Sequence, residues 1–342
     1  MSTRAFIIGV SGTELTAVER EFIRAERPWG FIPFKRNVEN PAQVISLISE
    51  LRGAASSPDA PVLIDQEGGR VQRLGPPHWP VYPAGAVFGA LYDKDWALGL
   101  KAAELGAQLI AADLADLGIT VDCLPLADVP VAGADAVIGN RAYGTEPAKV
   151  AAIARAVARG LELGGVLPVL KHIPGHGRAT ADSHFRLPTI DTSKDELEQA
   201  DFAAFKPLAD LPMAMTAHVV FSAYDTAHPA TTSATMIEQV IRDVIGFQGL
   251  LMSDDVSMNA LAGTIAERTR AIFAAGCDVV LHCNGKIEEM REVAGQVPEL
   301  SGKALQRAEQ ALAARKAPQS FDRAAARAEF DALIAGANTA SA

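Results

Sequence analysis

Between Lys171 and His184 the chain gathers Lys171, His172, His176, Arg178, Asp182 and His184, including three of its seven histidines. Pro174, Gly175 and Gly177 punctuate this stretch, which has neither a helical nor a strand period and follows the apolar run Leu167-Pro168-Val169-Leu170. A short buried strand feeding a loop of titratable groups is a common way to build an enzyme site, because the rigid strand aims the loop. Loops this long inside a domain are usually functional or disordered, and this one is too rich in His and Arg to be a plain linker. Asp182 and His184 stand two residues apart. In extended chain, positions i and i+2 share a face, so the carboxylate can accept from one ring nitrogen and leave the other for proton transfer. The plainer account of the same pair is a hydrogen bond that orders the loop.

A second group of acids, Asp254-Asp255, ends the apolar run Gly249–Ser253. Either could serve as nucleophile or general base, or as a helix N-cap or structural ion-pair partner. Neighbouring residues on a strand point to opposite sides, so one of the two faces the centre, and the sequence does not choose which. Lys171 and His172 end a buried strand, where the lysine could be a Schiff-base nucleophile, a substrate clamp, or the partner of Asp65 or Asp128. Arg73 and Arg141 are open in the same way. The loop histidines with His218 and His282 permit a metal site, but no HxH pair follows the first strand, and no metal or cofactor is expected. Gly68-Gly69 and Gly175-His176-Gly177 are turns that match no nucleotide-binding fingerprint.

The elements that must position these groups alternate along the chain. Strands are expected at Phe6–Val10, Trp29–Phe34, Pro61–Ile64, Ile119–Leu126, Leu167–Leu170, Met213–Val220, Gly249–Ser253 and Asp278–Cys283. Amphipathic helices lie between them. Asn40-Pro41 and Thr264 with Glu267 read as N-terminal caps, and Ser193 with Glu196 as a capping box for a helix carrying Leu197, Phe202 and Phe205. Eight apolar strands alternating with eight helices predict parallel βαβ units, and at this length a single closed (β/α)8 TIM barrel. Asp65, Asp128, Lys171, His172, His218, Asp254 and His282 then all fall at the C-terminal ends of strands, the face where barrel enzymes place their chemistry. The barrel is expected over residues 1–320 without a second sandwich domain, and residues 321–342 as a peripheral helix with a frayed tail.

Composition sets the outer bounds. The net charge of −10 argues against a nucleic-acid or anionic-membrane surface. Cys123, Cys277 and Cys283 lack CxxC spacing and sit in apolar runs, as small buried residues of a reducing compartment do. The first apolar run is too short for a signal segment or a membrane span, so the protein is expected in the cytoplasm, as a monomer.

Four ordered motifs, Asp65-Gln66-Glu67-Gly68-Gly69-Arg70-Val71-Gln72-Arg73, Lys171-His172-Ile173-Pro174-Gly175-His176-Gly177, Asp182-Ser183-His184 and Ser253-Asp254-Asp255-Val256-Ser257-Met258, closely resemble the family 3 glycoside hydrolases. The similarity runs from about Phe6 to Cys283 and is strongest to the bacterial cytoplasmic β-N-acetylhexosaminidases that trim peptidoglycan fragments. The resemblance implies Asp254 as nucleophile, His184 as general acid/base with Asp182 as its partner, and Asp65, Arg73, Arg141, Lys171 and His172 as sugar-binding residues. It implies a small glycan as the only partner. Many larger members carry a second domain that supplies a glutamate acid/base; without one, the His loop takes that role. Val256 stands where leucine is usual. A neutral imidazole base would repel anionic acceptors less than a glutamate, which keeps phosphorolysis as an alternative to hydrolysis.

Overall fold

The runs around Ile7, Leu63, Val169, Ala214, Leu251 and Val280 are apolar at consecutive positions rather than alternating, as in strands covered on both faces. In the computed structural model, which describes residues 3–338, they form β1 (Arg4–Ile8), β2 (Pro28–Phe31), β3 (Leu63–Ile64), β4 (Val121–Asp122), β5 (Leu167–Ile173), β6 (Met213–Thr216), β7 (Leu250–Asp255) and β8 (Val279–His282). The eight lie in the order β2-β1-β8-β7-β6-β5-β4-β3 with every pairing parallel, and a bridge between Phe31 and Val62 joins the two ends. The sheet is the single closed barrel that the alternation predicts.

Around it run α1 (Ala17–Glu26), α2 (Pro41–Ala55), α3 (Gly85–Lys94), α4 (Trp96–Ala115), α5 (Pro147–Leu163), α6 (Lys194–Gln199), α7 (Asp201–Phe205), α8 (Ile265–Ala275), α9 (Ile287–Ala294), α10 (Gly302–Ala313) and α11 (Arg323–Asn338). Their starts follow local chemistry. Thr16 with Glu19 and Thr264 with Glu267 form reciprocal capping boxes, and Asn40 accepts from the Gln43 amide ahead of Pro41.

Several expectations need correction. Ser193 accepts from the Glu196 amide at 3.4 Å, but the Glu196 carboxylate goes to Arg178 at 2.8 Å, so only half of the expected capping box forms. The helix expected to carry Leu197, Phe202 and Phe205 breaks at Ala200 into α6 and α7, although all three side chains are buried. Between β6 and β7, where an amphipathic helix is expected, the chain is π-wound over Met236–Val244. Helix α3 escaped the periodicity because two glycines interrupt it. A Cβ on Gly89 would stand 1.9 Å from the Tyr143 carbonyl oxygen, so glycine here lets α3 pack directly on the backbone of the segment that carries Arg141.

Helix α11 packs through Phe330, which is 1% exposed, with its ring against Tyr82 and Phe88 at 6.3 and 6.4 Å. Residues 339–342, the last of the stretch expected as peripheral helix and frayed tail, lie outside the described residues, as do residues 1 and 2.

Candidate active site

The barrel's C-terminal mouth holds a pocket of about 410 Å³ whose walls include Asp65, Glu67, Arg73, Arg141, Lys171, His172, His184, Asp254 and Asp255. Strand β5 runs three residues further than its apolar start suggests, so Lys171 and His172 belong to the strand itself and are buried. The Lys171 ammonium lies 3.0 Å from Asp65 Oδ1 and 2.7 Å from Glu67 Oε1. Arg73 reaches Asp65 Oδ2 at 2.8 Å, and Arg141 grips both oxygens of Glu67 at 2.7 and 2.8 Å. Two carboxylates and three cations thus form one linked network on the floor and wall of the pocket. Burial works against the charge on Asp65, yet Lys171 and Arg73 hold its carboxyl far below the usual carboxylate range. Burial likewise works against the Lys171 ammonium, and Asp65 and Glu67 outweigh it. A fixed fork of charged donors and acceptors is the chemistry that distinguishes hydroxyl positions on a sugar.

His172 is held by Asp128, whose buried Oδ2 lies 2.7 Å from Nδ1, and the other carboxylate oxygen accepts the His176 amide at 2.7 Å. The Nδ1 of His172 therefore faces away from the pocket and its remaining edge faces in.

The structure separates the two adjacent acids of β7. Asp255 spends its carboxylate on the Ser257 amide (3.0 Å), the Ser257 hydroxyl (2.7 Å) and the Cys283 amide (3.1 Å), tying β7 to the end of β8. Asp254 accepts only the Asp255 amide, at 2.7 Å. Burial raises the cost of ionising Asp254, but the imidazoles of His218, His172 and His184, with that amide, hold its carboxyl below the usual range. It is a half-buried carboxylate with a free oxygen in the pocket. His218 is itself fully buried, which pushes its own pKa down; its Nε2 donates to the Asp255 carbonyl at 3.0 Å, and its Nδ1 lies 2.8 Å from the Thr231 hydroxyl.

His184 enters from the loop after β5. Asp182 Oδ1 accepts both the His184 amide at 2.9 Å and its Nδ1 at 2.7 Å. The segment is not extended, as the i, i+2 argument assumed. It is a turn closed by the Phe185 and Arg186 amides on the Asp182 carbonyl, so one carboxylate oxygen both orders the turn and orients the ring. Nε2 of His184 makes no bond, and the side chain is 62% exposed. Below this tip the loop is pinned. His176 Nε2 meets the Ser183 hydroxyl at 3.0 Å, Arg178 reaches Asp201 at 2.6 Å, and the Ser183 carbonyl accepts the Ala260 amide at 3.2 Å. A Cβ on Gly177 would lie 2.1 Å from the Val129 carbonyl oxygen, so the loop packs backbone to backbone there.

Of the residues singled out in sequence, Asp65, Arg73, Arg141, Lys171, His172, His184, Asp254 and Asp255 line one pocket, with Asp182 behind His184, whereas Asp128, His176, Arg178, His218 and His282 do not line it. Lys171 pairs with Asp65, not Asp128. What the sequence left without a role is Glu67, the second carboxylate of the network, and the buried His176–Ser183 tie. Glu67 had a signal: it stands two residues from Asp65. Among the described residues, no group of three or more His, Cys, Asp or Glu could hold a metal ion, and no helix is long and apolar enough to cross a membrane.

Comparison with known proteins places this geometry. Residues 7–315 match the model of the glycosyl hydrolase family 3 N terminal domain. A beta-hexosaminidase of Neisseria meningitidis serogroup A is 40% identical over 293 residues, covering 83% of this chain and 79% of the relative. One of Chromobacterium violaceum is 36% identical over 333 residues, covering 96% and 92%. The crystal structure of NagZ from Neisseria gonorrhoeae in complex with N-trifluoroacetyl-D-glucosamine superposes with a TM-score of 0.83 at 32% identity, covering 98% of both chains. The chain belongs to glycosyl hydrolase family 3 and is a glycoside hydrolase built on that family's barrel.

Proposed function

We propose that this protein is a retaining exo-β-N-acetylglucosaminidase that removes terminal non-reducing N-acetylglucosamine from peptidoglycan fragments in the cytoplasm, acting as a monomer. Support for the sugar comes from relatives named beta-hexosaminidase and from the glucosamine derivative bound by the Neisseria gonorrhoeae protein. The observation that carries the mechanism is the pairing, in one pocket, of an ionised carboxylate with a free oxygen and an imidazole whose outer nitrogen is uncommitted.

In the first half-reaction Asp254 attacks the anomeric carbon as protonated His184 Nε2 gives its proton to the glycosidic oxygen. The C–O bond to the leaving group breaks, and a glycosyl ester forms on Asp254 through an oxocarbenium-like transition state. In the second, neutral His184 takes a proton from water, which attacks the same carbon and releases the sugar and the Asp254 carboxylate. Asp182 keeps Nδ1 protonated and fixes the ring, while Asp65, Arg73, Arg141, Lys171 and His172 bind the sugar ring's polar groups. The cross-linked floor of Asp65, Glu67 and Lys171 suits a site that takes one terminal residue.

The test is colorimetric: the aryl β-N-acetylglucosaminide is cleaved, and the aryl glucoside and xyloside are cleaved far less. Product NMR at early times finds the β-anomer, and an α-product would sink the covalent scheme. Added phosphate yielding a sugar phosphate would convert the reading to phosphorolysis.

A further inference from the structure

Strand β7 changes register at its polar end. Against β8 the pairing runs from Met252 with Val279 to Asp255 with Leu281, three residues along β7 for two along β8, so one extra residue is taken up at Ser253-Asp254. This is a β-bulge, which re-aims a side chain at the cost of regular ladder bonds. On the other edge, the pairing with β6 ends at Met252 and Met215. Asp254 therefore lies past the last residue paired with β6 and inside the register shift against β8. Side chains take over the freed backbone groups. The Ser253 hydroxyl, fully buried, accepts the Leu281 amide at 3.0 Å, a bond that a regular parallel ladder would give to a carbonyl. The Val256 amide returns to the Leu281 carbonyl at 2.9 Å, and the Asp255 carboxylate accepts the Cys283 amide at 3.1 Å.

From the β6 side the bulge is held by His218, two residues past that strand. Its Nε2 faces the Asp255 carbonyl, which can only accept, so Nε2 carries the proton, and in the neutral ring Nδ1 accepts from the Thr231 hydroxyl. The groups on both edges converge on one amide. The Asp255 N–H donates to Asp254 Oδ1 at 2.7 Å, the one hydrogen bond that Asp254 makes among the described residues. Neither Ser253 nor His218 lines the pocket. We propose that Ser253 and His218 are positioning residues for the nucleophile: clamping the bulge from its two edges, they keep the Asp255 amide on Asp254 Oδ1 and leave Oδ2 as the attacking oxygen. Attack on the anomeric carbon is sensitive to such aim, since a misplacement of about 1 Å can cost about 10²-fold in rate. The inference rests on the assignment of Asp254 as nucleophile and adds what aims it.

The experiment uses an activated aryl β-N-acetylglucosaminide, whose leaving group needs little proton assistance, so that kcat/KM reads the attack by Asp254. N-acetylglucosamine as a competitive inhibitor reads the sugar-gripping floor separately. Ser253→Ala is expected to lower kcat/KM about tenfold and His218→Asn about 10- to 100-fold, with inhibitor binding within about twofold of the parent. His218→Gln, whose amide nitrogen reaches the place of Nε2, recovers to within about fivefold of the parent, whereas the shorter Asn does not. A pH profile supplies a readout that looser packing alone would not move. Besides the Asp255 amide, the groups facing Asp254 are the imidazoles of His218, His172, His176 and His184 and the Cys283 thiol. Ser253→Ala removes none of these, yet loosens a donor that favours the charged carboxylate, so the acid limb of kcat/KM moves to higher pH. Parent-like kcat/KM and acid limb in Ser253→Ala overturn the inference, and that variant decides alone should the His218 variants not fold. So does a loss matched by equal weakening of inhibitor binding, or a Gln variant no better than Asn. Near-normal turnover in Asp254→Ala overturns the nucleophile assignment beneath it; an inactive Asp254→Ala beside parent-like Ser253→Ala and His218→Asn overturns this inference alone.

Discussion

The pocket floor and the loop that overhangs it are built on opposite principles. On the floor, Lys171, 1% exposed, is shared by Asp65 and Glu67, and each of those carboxylates is also held by an arginine, Arg73 or Arg141. At the loop tip, His184 is 62% exposed and one oxygen of Asp182 holds it. Buried charges keep their geometry only when every partner is present, so the floor cannot lose a member cheaply. An exposed dyad can be altered without cost to the fold. Recognition is thus assigned to a rigid, mutually dependent network, and proton transfer to a projecting residue that solvent and leaving group can both reach. Asp254 stands between the two, on strand β7 but free of the floor's ion pairs.

The largest effect expected from testing this division is at Asp254. Asp254→Ala should cost more than about 10⁴-fold in kcat on every substrate, since no other carboxylate in the pocket has a free oxygen. Near-normal turnover in that variant would remove the nucleophile assignment. His184→Ala comes next, with a loss of about 10²–10⁴ in kcat on substrates with poor leaving groups and a much smaller one on activated aryl glycosides, which need little proton assistance. An equal loss on both classes would show that His184 does something other than protonate the leaving oxygen.

The third experiment measures stability. Lys171→Ala leaves Asp65 and Glu67 buried against each other without their shared cation, and should cost about 3–5 kcal/mol in denaturant unfolding. His184→Ala should lie within about 0.5 kcal/mol of the parent, as exposed substitutions usually do. If both variants unfold alike, the contrast between floor and loop fails.

The contrast also explains what the sequence could and could not show. Strand ends were legible where a buried parallel strand stays apolar up to its rim, as in Pro61–Ile64 before Asp65; Asp122 and Ser253, buried polar residues within their strands, precede Asp128 and Asp254. At β5 the apolar run stops at Leu170, and Lys171 and His172, read in sequence as the end of a buried strand, continue it as buried, paired polar groups to Ile173. Asp254 and Asp255 could not be told apart by type; the choice is made by Cys283 and Ser257, whose amides claim Asp255. The Asp182–His184 pair was found through a wrong local geometry, since an aspartate that closes a turn on its own i+2 neighbour reaches the same ring as one in a strand would. Glu196 shows the limit of local reading: Arg178, distant in sequence, takes the carboxylate that the capping box was expected to use.

The smallest effect concerns the hinge between the two regions, His176, whose ring is buried between the His172–Asp128 pair and Ser183 in the loop. Burial, with the neighbouring His172, pushes its pKa down to about 4 from an ordinary value of 6.5. In that window the unfolded chain binds a proton that the folded one refuses. Stability contributed by neutral His176 is therefore full above pH 6.5, falls as the pH drops, and stops falling near pH 4. His176→Gln, whose amide can still reach Ser183, should flatten the pH dependence of unfolding between pH 6.5 and 4.5 by at most about 3 kcal/mol. Chemical denaturation of both proteins at several pH values reads this directly. If the two curves run parallel, His176 is not the group that ties loop to floor through its neutral form, and the tie must lie in the Arg178–Asp201 pair instead.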